Sequence, residues 1–124
     1  MERRLVPAVS PYAATVGYSR AVREGRNVYV AGTAAIGIDS RDPYEQAKHC
    51  LEIVIAALDE LGARPEHVVR TRVYLVDAGD WEAVGRAHGE VFGEARPAST
   101  FVVVAGLMEE RWRCEIEVDA LLPE

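Results

Sequence analysis

The sequence predicts a two-layer α+β domain, β-β-α-β-α-β-β in chain order, with both helices on one face of a single sheet. Three observations lead there. Two segments repeat apolar residues at spacings of three and four, and five others are short β-rich runs bounded by turn residues. A chain of 124 residues has room for one core and no second. Its 49% hydrophobic content fills that core without disulfides or metal.

Residues 1–13, with Pro7, Ser10 and Pro11, read as an extended arm. A first strand occupies Thr15–Val22, and Gly25-Arg26-Asn27 is a hairpin turn signal. Val28–Gly32 is a second strand, in which Gly32 predicts a bulge or a close backbone approach. The loop Gly37–Pro43 leads into a helix: Asp42 is the N-cap, Pro43 takes the first helical position, and Glu45 lies in the first turn. That helix runs from about Pro43 to Leu61, with Ala47, Leu51, Val54, Leu58 and Leu61 as one apolar stripe and Gly62 as its left-handed stop.

Val68–Val76 reads as a strand with Val69, Thr71, Val73 and Leu75 facing one way and Arg70, Arg72, Tyr74 and Val76 the other. Asp80 is placed to cap a second helix, Trp81–Phe92, whose inner side carries Trp81, Val84, His88 and Val91, with Gly93 at its end. The last quarter reads as a strand hairpin, Arg96–Leu107 and Arg113–Glu117, about the turn residues Met108–Arg111. Alternation sends Glu115 and Glu117 to one face and Ile116 to the other. Tyr29, Tyr74, Phe101, Val103 and Ile116 or its neighbours make the second sheet face too apolar for open solvent, which predicts self-association.

A net charge of −6 and dispersed basic residues argue against a nucleic-acid partner. Glu2, Arg3 and Arg4 are followed only by Leu5-Val6-Pro7, no signal-peptide core, and no apolar run approaches the ~20 residues that span a bilayer. A cytoplasmic protein without membrane contact is expected, with Cys50 and Cys114 as reduced core thiols. His49, His67 and His88 lack chelating spacing, and there is no Gly-rich phosphate loop, so neither metal nor cofactor is expected. Cys114 faces the helices, and Trp112 is a packing residue at a strand start that can also border a cleft.

The run Pro97-Ala98-Ser99-Thr100-Phe101-Val102-Val103-Val104-Ala105-Gly106-Leu107, followed by Glu115-Ile116-Glu117, resembles the C-terminal signature of the Rid family (reactive intermediate deaminases, YjgF-type). Active members of that family read Pro-Ala-Arg-Ser, then Val-x-Val-Ala-x-Leu, then Glu-Ile-Glu. Gly17-Tyr18-Ser19, Val30-Ala31-Gly32-Thr33 and Val69–Leu75 are similar to its entry, strand-end and central-strand segments, so the resemblance covers roughly Val16 to Ala120. It implies the Rid fold, which is chorismate-mutase-like. It also implies a homotrimer whose sheets pack into a central barrel, with three clefts between subunits. The implied chemistry is hydrolysis of imines and enamines, such as 2-aminoacrylate, to 2-oxo acids and ammonia.

On this resemblance Glu115 takes the position of the catalytic glutamate that handles water, and Tyr18 and Gly32 those of the family's tyrosine and glycine, with Thr33 beside them. Ser99 stands where the arginine that anchors the substrate carboxylate belongs. A hydroxyl bonds a carboxylate without neutralising it. The resemblance therefore implies a cleft for a small imine, enamine or 2-oxo-acid-like metabolite, with standard 2-iminobutanoate or 2-aminoacrylate deamination weak or absent. The alternative is a non-catalytic trimer that binds a small molecule or a protein. Arg72, in place of the usual threonine, is either a replacement anchor or a structural ion pair with Glu115 or Glu117. Arg20, near Tyr18, is a lower-ranked anchor.

Overall fold

The computed structural model describes residues 2–124. Six strands form one sheet: β1 (Arg3–Pro7), β2 (Ser19–Glu24), β3 (Asn27–Thr33), β4 (Val68–Leu75), β5 (Ala98–Val103) and β6 (Cys114–Leu121), in the order β1-β2-β3-β6-β4-β5. Three helices accompany them: α1 (Ala13–Val16), α2 (Pro43–Glu60) and α3 (Trp81–Phe92). α2 packs on β3 and β6, and α3 packs on α2, so the core lies between the sheet and the two long helices.

α2 follows its local signals. Asp42 Oδ2 accepts from the Glu45 N–H at 2.9 Å, Pro43 opens the helix, and Gly62 follows it at φ +82°. The predicted stripe is buried throughout, joined by Cys50, Ala57 and the polar Gln46.

Five expectations are corrected. The N-terminal arm is itself a strand, paired antiparallel with β2 from Arg3↔Glu24 to Val6↔Ala21. β2 begins at Ser19, because residues 13–16 close a helical turn that Gly17 ends at φ +81°. β5 and β6 do not form a hairpin. β5 pairs in parallel with β4, from Arg70↔Ala98 to Leu75↔Val103, and β6 inserts antiparallel between β3 and β4. The α3 crossover makes β4 and β5 parallel neighbours, while β6, burying Cys114, Ile116, Val118 and Ala120 at every second position, takes the centre of the sheet. Val69 falls in a bulge of β4 and is exposed, so the inward set is Val68 before the bulge and Thr71, Val73 and Leu75 after it. Trp81 is 60% exposed, and α3 turns Val84, Ala87 and Phe92 inward instead.

The second sheet face is also more polar than expected. Ile116 is fully buried in the core, and Phe101 turns toward His88 of α3. Leu5, Tyr29 and Val102 stand exposed, while Arg72 reaches Glu117 at 3.8 Å and Asp119 at 3.6 Å. The Tyr74 hydroxyl donates to Glu117, and that bond to a carboxylate raises the Tyr74 pKa.

Asp80 stands at the α3 N-cap position but makes no cap bond. Its carboxylate instead takes a bidentate pair from Arg113, Nε at 2.8 Å and Nη2 at 2.9 Å, which ties the start of α3 to the entry of β6.

Candidate functional site

β3 loses its regular pairing with β6 between Val30 and Thr33, and Gly32 lies within that irregularity. A Cβ built on Gly32 would sit 2.6 Å from Glu115 Oε2, so the absent side chain is the seat of the carboxyl group. Glu115 lies at the foot of a hollow of about 280 Å³ whose walls include Tyr18, Arg20, Ile36, Met108 and Trp112. That volume is at the lower end for ligand pockets, which run from about 300 Å³, and suits a metabolite of few atoms.

Burial raises the Glu115 pKa, and the nearby Glu117 charge adds to this, while Arg20 pulls it down. Arg20 is 7% exposed. Its Nη1 donates to the Gly32 carbonyl at 2.8 Å, the Thr33 hydroxyl at 2.6 Å and, more weakly, the Ala31 carbonyl at 3.3 Å. Its Nη2 donates to the Tyr18 hydroxyl at 3.3 Å. The bulged end of β3 leaves these carbonyls free to accept. Trp112 is 4% exposed, and its indole N–H is the one buried side-chain polar atom among the described residues with no partner.

Of the site residues read from the sequence, Tyr18, Gly32 and Glu115 thus share one hollow. Thr33 adjoins it with its hydroxyl turned to Arg20 and to the Ala31 carbonyl. Arg72 is on the second sheet face, paired with Glu117 and Asp119 rather than Glu115. Ser99 is elsewhere again. It accepts a hydrogen bond from Thr71 at 2.7 Å, and the Thr71 hydroxyl meets His88 Nε2 at 2.8 Å. Ser99 and His88, with Trp81, Gly85 and Phe101, line a shallower hollow at the β5 edge of the sheet. Arg20 was under-read: a strand arginine in a sequence reads as solvated, and only the bulge opposite it supplies the acceptors that bury it.

Burial lowers the His88 pKa below its ordinary 6.5. The folded state then resists protonation more than the unfolded chain. The His88 contribution to stability is complete above 6.5 and is lost as pH falls toward the folded-state value. Glu115 has the opposite sign: its contribution is present below 4.5 and lost as pH rises through its raised folded-state value. The Tm advantage of the wild type over His88→Gln is therefore expected to shrink between about pH 7 and about pH 5. Parallel melting curves across that range would show that His88 is not the group responsible.

Together, the sheet with its helices on one side and the desolvated carboxyl seated on a strand glycine define the class: small α+β proteins that present a carboxylate in a metabolite-sized cleft. The sequence pattern of the family described as Endoribonuclease L-PSP matches residues 8–122. An uncharacterized protein of Streptomyces coelicolor is 42% identical over 121 residues, covering 94% of this chain and 90% of its own. A RutC family protein of Pyrococcus abyssi is 36% identical over 98 residues, 75% of this chain and 77% of its own. The crystal structure of Rv2704 from Mycobacterium tuberculosis, a member of the YjgF/YER057c/UK114 family, superposes with a TM-score of 0.92 at 39% identity, over 98% of this chain and all of that one. The chain belongs to this family, the Rid or YjgF/RutC/UK114 proteins.

Proposed function

We propose that the protein works as a homotrimer whose inter-subunit clefts bind a small imine, enamine or 2-oxo-acid-like metabolite, with Glu115 directing water to a C=N carbon. The single observation that carries this is the Glu115 carboxyl, desolvated on Gly32 and flanked by Tyr18 and Arg20 in a hollow of metabolite size. A raised pKa suits a group that must both take and return a proton near neutral pH. Ionised Glu115 accepts a proton from water as its oxygen bonds to the imine carbon, and the C=N π electrons pass to nitrogen. The proton then goes to nitrogen, giving a carbinolamine. Glu115 next takes the carbinol hydroxyl proton and passes it to the amino nitrogen, the C=O bond forms as the C–N bond breaks, and ammonia leaves a 2-oxo product. Trp112 and Ile36 narrow the hollow and help exclude bulk water.

Two observations favour assembly. The second face exposes Leu5, Tyr29 and Val102 around its ionic cluster. Ser99 and Glu115 line separate hollows of one protomer, so a cleft using both needs two protomers. A cytoplasmic setting is proposed with it, supported by two free, buried thiols; no helix among the described residues is long and apolar enough to cross a membrane.

Ser99 has no charge with which to hold a substrate carboxylate, so standard 2-aminoacrylate or 2-iminobutanoate hydrolysis is expected to be weak. Loss of a charge-assisted contact costs about 2–5 kcal/mol, or ~30- to several-thousand-fold in rate. The same substitution favours a second reading, a trimer that binds its metabolite without turnover. Sedimentation equilibrium is expected to give three times 13.6 kDa, and a stable monomer at micromolar concentration would refute the inter-subunit cleft. An assay with a dehydratase generating the imine is expected to show slow acceleration over buffer. Rapid turnover would show that the cleft holds another anchor of full strength, and none at all would favour the binding-only reading.

A further inference from the structure

Arg20 is a buried cation with no ion-pair partner among the described residues. A guanidinium carries five N–H donors, and every acceptor Arg20 meets is neutral: two backbone carbonyls, the Thr33 hydroxyl and the Tyr18 hydroxyl. Its Nε donates to no described residue, and no carboxylate of the described residues comes within ion-pair distance of it. Burying a charge without a partner of opposite sign is expensive. Glu115 lines the same hollow and attracts Arg20 only from beyond ion-pair distance, so it offsets that cost in part. The same hollow has Trp112 in its wall, with an indole N–H that also lacks an acceptor. Guanidinium donors left over beside a small and otherwise largely apolar hollow describe a place for an anion.

We infer that Arg20 is the anion-holding residue of this cleft, so that its ligand is a small carboxylate whose acid group meets Arg20 while its carbonyl or imine carbon lies toward Glu115. This rests on the Glu115 hollow being the ligand cleft. Arg20 is then the specificity-determining residue in a chain where position 99 is serine. The competing role is purely structural: a clamp on the bulged end of β3. A clamp would not distinguish a charged ligand from a neutral one of the same shape.

Titration calorimetry with pyruvate and with pyruvamide, its neutral amide, separates the two roles. The wild type is expected to bind pyruvate about 10- to 100-fold more tightly than pyruvamide, the range of a hydrogen bond to a charged group. Arg20→Gln is expected to bind the two ligands equally, with pyruvamide affinity close to that of the wild type. Arg20→Lys, the variant to rely on if the glutamine chain does not fold, is expected to keep a reduced preference, because an ammonium supplies the charge without the fork. Equal affinities in the wild type, or an undiminished preference in either variant, would overturn the assignment of Arg20 and leave the cleft standing. A wild type that binds neither ligand would overturn the cleft reading and this inference together.

Discussion

Gln46→Leu is expected to destabilise the protomer by roughly 3–4 kcal/mol, although leucine fits the volume and the helix. Gln46 is 1% exposed, and each polar atom of its side chain is used. Nε2 donates to the carbonyls of Ser40 and Arg111, both at 2.9 Å, and Oε1 accepts from the Arg113 N–H at 2.7 Å. The leucine would leave one donor and two acceptors without partners, at about 1–3 kcal/mol for each that water does not reach. Urea unfolding should show the loss directly, with a fall in Tm of more than about 10 °C for a chain of this length. These bonds also fasten residues 111–113 beneath Trp112, so the cleft wall should loosen with them. A change below about 1 kcal/mol would mean that water substitutes for the amide.

Glu115→Gln is expected to move activity and stability in opposite directions. The amide is isosteric with the acid but cannot take a proton from water, so any imine turnover should fall about 10²- to 10⁴-fold. Burial and Glu117 both disfavour the Glu115 charge, so at neutral pH the glutamine variant should melt higher than the wild type. The gain should fade as pH falls through the raised folded-state value and be gone below 4.5, where the wild-type carboxyl is neutral in the folded and unfolded chains alike. Undiminished turnover would remove Glu115 from the chemistry. A lower Tm at neutral pH would mean that the attraction between Arg20 and Glu115 outweighs the burial of the carboxylate.

Local signals in the sequence located the helices well. Asp42, Pro43 and Gly62 fix α2 because a cap, a preset φ and a left-handed stop act within a few residues of themselves. Gly32 was legible for a similar reason, since an interior strand glycine implies that something approaches closely; that the group is Glu115 depends on how β6 lies beside β3, which only the fold shows. Strand order was not legible. The turn residues after Leu107 fit a hairpin as well as they fit a chain that passes over β4, and the choice depends on what α3 does with β5. Partners of buried polar groups were equally hidden: Asp80 looks like a cap and is an ion-pair partner, and Gln46 looks like a surface helix residue. Arg20 belongs with these, because its burial depends on carbonyls that a distant bulge leaves unpaired.

Cys50 on α2 and Cys114 on β6 lie side by side in the core, both fully buried. The contact with Cys114, then burial, hold the Cys50 thiol well above its ordinary pKa, and a thiol kept protonated is a poor nucleophile. Alkylating reagents and oxidants therefore reach this pair only when the helix layer lifts from the sheet. The rate at which a thiol reagent is consumed by the native protein becomes a clock for the opening of the core. It needs no introduced label and can be read under conditions in which the protein is almost entirely folded.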